Sequence, residues 1–224
     1  MDTLLTPETL SLFTATFVTF FVLIDVVGVA PVFATLTAQG NAAYRRSMAI
    51  KATIVASIII FFFAFAGAWL LGAMHISIAA FKAAGGVLLF LIALDMVFEK
   101  RTERRESRAE TVMSEHDDAT APDDVSVFPV GIPMIAGPGT IATAMFYMAE
   151  ADSTWDKGVI VAALALNLVI VLVIFILAGP LMRAMGPAVA GALTRILGVI
   201  LAALSVQLLM DGIAEAYGIG LAHS

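Results

Sequence analysis

Cysteine is absent from the chain and charge is scarce. Among 224 residues there is no cysteine, which excludes disulfides, thiolate metal sites and cysteine nucleophiles. Charged residues make up 13% of the sequence, where a soluble domain carries roughly a quarter. That shortage excludes a water-soluble enzyme, a nucleic-acid binder and a disordered chain. His75, His116 and His223 fall in loops or tails, and no two have metal-ligand spacing. There is no HExxH pair for zinc chemistry, no GxSxG elbow and no P-loop. An intramembrane aspartyl protease needs two acids meeting at depth; Asp25 is central in its apolar run, whereas Asp95 and Asp211 lie near the ends of theirs. The expectation is a protein that is not an enzyme and has no resident cofactor or metal. Met1-Asp2 and Glu8 put no basic stretch ahead of the first apolar run, so a removable signal peptide is not expected.

What the chain has is apolar length. Hydrophobic residues account for 61% and the mean hydropathy is +1.00. A bilayer core about 30 Å thick is crossed by roughly 20 apolar residues in helix. Six stretches qualify: Leu10 to Leu36, Met48 to Leu71, Ser77 to Phe98, Val125 to Met148, Val159 to Met182 and Val189 to Glu215. Runs this long exclude a β-barrel, whose strands alternate over about ten residues. The expected fold is an all-α membrane protein of six transmembrane helices. Its one long solvated linker, Glu99 to Asp124, holds five Lys/Arg and nine Asp/Glu.

Cationic residues sort the two faces. Arg45, Arg46, Lys51, the five basic residues of the linker, Arg183 and Arg195 fall on one side, against Lys82 and Lys157 on the other. By the positive-inside rule the first side is cytoplasmic. The expectation is a multi-pass inner-membrane protein with both termini outside and the linker in the cytoplasm.

A weak internal repeat divides the chain. Residues 82–94, KAAGGVLLFLIAL, align with residues 194–206, TRILGVILAALSV, with Gly86 on Gly198 at an offset of 112. The first and fourth spans each carry a Gly/Pro break, and Gly28 to Gly137 is an offset of 109. Three helices per half is an odd number, so the halves run in opposite orientations. Inverted repeats of that kind belong to secondary transporters. The expected organisation is a first repeat over 1–98, the linker over 99–124 and a second repeat over 125–224.

The two breaks carry the functional signal. In LIDVVGVAPVFATL, residues 23–36, Pro31 removes a helical donor and crowds the carbonyl of Val27, while Gly28 eases unwinding there. Asp25 close by cannot face lipid as an anion without a cost of at least a few kcal/mol. The plainer reading is a proline kink with an acid bonded to a neighbouring helix. The sharper one is an interrupted helix lining a polar cavity, with Asp25 as a proton or sodium site. The fourth span packs three prolines and three glycines between Pro129 and Gly139. Pro138 suits the first position of a new half-helix, whose free amides at Gly139, Thr140 and Ile141 would attract a carboxylate. Thr140 and Thr143 add hydroxyls, and Asn167 in the fifth span adds an amide. Gln207 reads as interhelical glue, Asp95 and Asp211 as interfacial, and Gly85, Gly86 and Gly198 as packing points between the third and sixth helices.

The stretch from Leu23 to Thr37, GIPMIAGPGTIATAM at 131–145, KAAGGVLLFLIALDM at 82–96 and RILGVILAALSVQLLMDGI at 195–213 together resemble the MarC family. The resemblance runs from about residue 10 to 215 and fades in the linker. It departs at the first break: the family usually reads Asp-Pro-x-Gly-Asn, and here Val26 and Val29 replace the proline and asparagine. The resemblance implies six helices in an inner membrane, similar in outline to amino-acid exporters, and small neutral amino acids as substrates.

Two functions follow as expectations. The first is a secondary transporter of small neutral solutes of the glycine/alanine class, coupled to H+ or Na+. Asp25 would serve the coupling ion, and Gly28, Pro31, Gly137, Pro138, Gly139, Thr140, Thr143 and Asn167 the substrate. The second is a non-transporting scaffold or stress-response protein that docks through the charged linker. The partners implied are a small molecule and the lipid bilayer, not nucleic acid; a homo-oligomer is left open.

Overall fold

The structure is a computed structural model that describes residues 6–98, 104, 107 and 124–219. The expected linker lies outside these residues except for Arg104, Ser107 and Asp124. The described residues form helices α1 (Pro7–Ile24), α2 (Val26–Leu36), α3 (Ala42–Ala73) and α4 (Ile78–Val97), an irregular segment Ser126–Ile135, and helices α5 (Pro138–Glu150), α6 (Thr154–Ile176) and α7 (Ala178–Tyr217). Each long helix starts where its chemistry allows. Thr6, Asn41, Ser77 and Ser153 cap α1, α3, α4 and α6 with side-chain oxygens, and Ser153 with Asp156 completes a reciprocal capping box.

Five spans, α1 and α2 counting as one, are long and apolar enough to cross a bilayer, and there are six if the bent pair Ser126–Ile135 with α5 is a single crossing. Five of the six expected spans therefore stand by length and composition alone, with two boundary corrections. The fifth span stops at Ile176, not Met182, because the chain turns at Leu177 and starts α7. Within α7, Gly186 adopts φ 70°, a left-handed conformation open to glycine. The sixth span is the part beyond it, Ala188–Tyr217.

On α3, small residues face inward and the largest face outward. Helix α3 buries Ala49, Ala52, Ala56, Ala64 and Gly67 and turns Phe62, Phe65 and Trp69 outward, the last 75% exposed. Such a face is tolerable against lipid and lets helix backbones approach on the inner side. The core on that side centres on Phe20, Ile60 and a stacked pair, Phe33 and Phe175, with ring centroids 4.3 Å apart.

Helices α4 and α7 make the most extensive contact in the molecule. They pack antiparallel through glycine. A Cβ at Gly86 would lie 2.7 Å from the Leu209 nitrogen, one at Gly212 2.6 Å from the Ala83 nitrogen, and one at Gly198 2.8 Å from the Met96 Cβ. The expected packing role of Gly86 and Gly198 is thus present. Gly85 differs, since its nearest foreign atom, Leu208 Cδ2, stands at 3.8 Å. Gly86→Val should destabilise the protein by about 1–3 kcal/mol through overpacking, whereas Gly85→Ala, with room for its methyl, should stabilise by up to about 1 kcal/mol. Denaturant unfolding of the detergent-solubilised variants checks the contrast.

One ion pair ties the linker's end to the bundle. Lys51 Nζ lies 2.7 Å from Asp124 Oδ2, and Asp124 Oδ1 accepts the Ser126 amide at 3.0 Å. The Lys51 hydrogen bond, helped by Ser126, holds the Asp124 carboxyl below its ordinary value. A depressed carboxyl stabilises the fold above the unfolded value and loses that effect only as pH falls through the lowered one. Lys51→Ala should therefore move the Asp124 titration upward, as read by carboxyl-carbon NMR.

Candidate functional site

The first break falls at Asp25 itself. Expected at Gly28 to Pro31, it sits upstream, and both of those residues lie inside α2. Asp25 has φ 51° and ψ 53°, closing α1 and opening α2 at once. Aspartate is among the few non-glycine residues that accept a left-handed conformation. It also brings a side chain: Oδ1 takes the Gly28 amide at 3.3 Å, one of the orphan donors of the new helix. Gly28 could have unwound the chain but could not have capped it. The two runs continue as one span, Pro7–Leu36, so this crossing is pinched at one residue and not opened into a loop.

Asp25 is completely buried. The hydroxyl of Thr194, itself 2% exposed on α7, donates to Asp25 Oδ1 at 3.1 Å. The acid is thus tied to a neighbouring helix, as in the plainer sequence reading, and it does so from a break, as in the sharper one. Gly28 makes room for the arrangement: a Cβ there would collide with Asp25 Oδ2 and lie 2.9 Å from Thr194 Oγ1.

The second break has the expected form. Gly137 is the N-cap of α5 and Pro138 its first residue. The segment before it leaves helical geometry at Phe128 and Ile132, each followed by a proline in a cis peptide, and meets α5 at 56°. Gly139, Thr140 and Thr143 are buried. The space a Cβ would take at Gly139 is filled by Ile92, Leu89 and, at 3.5 Å, Leu23 Cδ2. The start of α5 therefore packs against apolar side chains of α4 and against Leu23, two residues before Asp25 in α1. Asn167 stands apart: its amide donates to Phe17 O at 3.1 Å and Ala163 O at 2.9 Å, tying α6 to α1.

Two cavities open toward opposite ends of the α1–α2 span. One, of about 520 Å³, is bordered by Phe33, Thr37 and Phe175 and by Arg45, Arg46 and Arg183. The other, of about 240 Å³, is bordered by Thr19, Lys82, Thr143, Tyr147, Glu150 and Asp211. Asp25 lies ~9 Å of helix rise from Thr19 and ~12 Å from Phe33. It sits in the packed layer between them.

Sequence reasoning passed over Thr194, Thr19, Tyr147 and Glu150, and it used Lys82 only to count charge. One signal pointed to two of them: the repeat alignment opens on Lys82 and Thr194 as equivalent positions. Gln207 is also corrected, since its amide donates to Asp211 Oδ1 at 2.8 Å on the same helix and does not join two helices. Asp95 pairs with Arg104 at the arginine end. Among the described residues no cluster of three or more metal-ligating side chains exists.

Apolar helices with large residues outward, one span pinched at a buried acid and another bent at its middle, define a polytopic α-helical integral membrane protein. Residues 10–217 match the profile of the MarC family integral membrane proteins. The chain is 36% identical to a UPF0056 membrane protein of Methanocaldococcus jannaschii over 92% of its own length and 98% of that protein's. It is 30% identical to the UPF0056 membrane protein YvbG of Bacillus subtilis, covering 88% and 92% of the two chains. With YhcE of Escherichia coli it shares 29%, over 88% and 89%. The chain belongs to the MarC family. No solved structure matches it.

Proposed function

We propose that this protein is a secondary transporter of small neutral solutes, most plainly amino acids of the glycine and alanine class, coupled to H+ or Na+ through Asp25. The observation that carries the reading is a fully buried carboxylate at a helix break, sealed between cavities that approach it from opposite ends. A charge in that position is costly in a membrane protein and marks an ion or substrate pathway. The arrangement corresponds to an occluded state, which opens alternately to each cavity as the first three spans rock against the last three. The glycine-lined α4–α7 seam provides a smooth contact for such motion. Broken spans whose half-helix ends meet near the midplane are the way transporters build such sites.

In this reading the chain sits in the inner membrane with both termini outside, and the 520 Å³ cavity with its arginines faces the cytoplasm. Gly139 and Thr140 receive the substrate carboxylate once Leu23, Leu89 and Ile92 move aside. The test is uptake of radiolabelled glycine and alanine into proteoliposomes under imposed proton or sodium gradients. Gradient-dependent uptake above protein-free vesicles is expected; none with any small neutral amino acid under either gradient would refute the proposal. Excising residues 101–122 should leave uptake intact, whereas a docking scaffold would lose its function.

A further inference from the structure

The cavity at the lysine end holds chemistry that the breaks do not explain. It is walled by α1, α4, α5 and α7, and it carries unequal charge: Glu150 and Asp211 face a single cation, Lys82. Lys82 is already engaged. Its ammonium pairs with Glu150, lies 3.6 Å from Glu215 Oε2 and stands 5.1 Å from the centre of the Phe146 ring. Glu150 and Glu215 at the Lys82 ammonium, with Asp211 on the same cavity wall, leave the region negative.

Asp211 is half-buried and accepts from Gln207 through Oδ1, which leaves Oδ2 available to a ligand. The floor is polar as well. Thr19 and Tyr147 share a hydroxyl contact at 3.1 Å, and the Thr143 hydroxyl, on a residue 3% exposed, has no hydrogen-bond partner. An unmet hydroxyl costs stability where it is buried, about 1–3 kcal/mol. Thr143, unlike the equally unmet Thr16, borders this cavity, where a ligand would supply the missing bond.

We infer that this cavity is a recognition site for a small primary ammonium group, held by Asp211 and by the Thr143 hydroxyl, with the Lys82–Glu150–Glu215 cluster fixing the field around it. The apolar faces of Leu204 and Leu208 bound the remaining volume, and about 240 Å³ admits a molecule of a few heavy atoms beyond the ammonium. The inference rests on the transport reading for the passenger's identity and deepens it: this is where a zwitterionic substrate is first held, by its amine, before it reaches Asp25. Lys82 would then exchange its contact with Glu215 for the carboxylate of the zwitterion, which a simple amine lacks.

Calorimetric titration of the purified full-length protein, with no gradient, tests this. The probes are alanine, ethylamine and sodium chloride at constant ionic strength. Saturable binding of alanine or ethylamine is expected, and Asp211→Asn should weaken it at least tenfold. Thr143→Val, which removes a hydroxyl that holds nothing in the free protein, should weaken it several-fold while keeping or raising thermal stability. Alanine bound more tightly than ethylamine identifies a zwitterion; equal affinity identifies the amine alone. Binding of sodium only, binding unchanged in both variants, or no binding of either ammonium probe would each overturn the site. Uptake separates the two ideas: Asp211-dependent binding without any transport retains this site and removes the proposed function, and transport with Asp211-independent binding does the reverse.

Discussion

Asp25→Asn is expected to fold normally and to transport poorly. Asparagine keeps the shape of the side chain, tolerates a left-handed backbone and retains an oxygen for the Gly28 amide and the Thr194 hydroxyl. Stability should therefore stay within about 1 kcal/mol of the wild type. What is lost is the charge. A neutral side chain cannot hold the coupling cation, so gradient-driven uptake should fall at least ~10-fold, equivalent to about 1.4 kcal/mol or more. Asp25→Ala is the informative companion. It strips the cap as well and should cost a further ~1 kcal/mol of stability, which thermal unfolding would register while the asparagine variant stays put. Wild-type uptake by Asp25→Asn would remove this residue from the mechanism.

Gly28→Ala is the second large effect, and its sign runs against helix propensity. Alanine in a helix is favoured over glycine by about 1 kcal/mol, and on an open face the change would stabilise α2. Here the new methyl would collide with Asp25 Oδ2, lying 2.9 Å from Asp25 Cγ and 2.9 Å from Thr194 Oγ1. The carboxylate must swing away, breaking its bonds to the Gly28 amide and Thr194 and leaving buried polar groups unmet at about 1–3 kcal/mol. A net loss of stability together with a loss of uptake is expected. Thr194→Val breaks part of the same contact, so the double variant Gly28→Ala/Thr194→Val should cost less than the two singles added. Strict additivity would mean that Gly28 acts somewhere other than on this contact.

The linker and the lysine-end cavity bear on different functions, and their residues separate accordingly. Lys51 and Asp124 anchor the linker's end at an exposed pair, whose worth to the fold is about 0–1 kcal/mol. Lys82, Asp211 and Thr143 line a cavity among four helices, where the proposed ammonium site is tested by binding and not by stability.

How much could be read in advance depended on the range of the cause. The six spans followed from apolar run length, and the third, expected over Ser77 to Phe98, coincides with α4 and its two caps. The start of α5 at Gly137-Pro138 was legible too, because a ring that fixes φ and lacks an N–H fits only a few helical positions. The first break was misplaced by a few residues. Glycine and proline are the usual breakers, but an aspartate that bends the chain and caps the result outcompetes them. The fifth span ran too long because it was carried past Gly179-Pro180, a local breaker signal, whereas α6 ends at Ile176.

Sequence alone determined that this chain crosses a membrane several times, where it crosses, and that two crossings are irregular, because those properties arise from neighbours within one or two helical turns. Tertiary structure decided that Thr194 meets Asp25 across 169 positions, that Thr19 meets Tyr147 across 128, and that Lys82 ends between Glu150 and Glu215. Such meetings depend on how helices cross, and crossing is set by glycine contacts summed over whole faces, which no local pattern encodes.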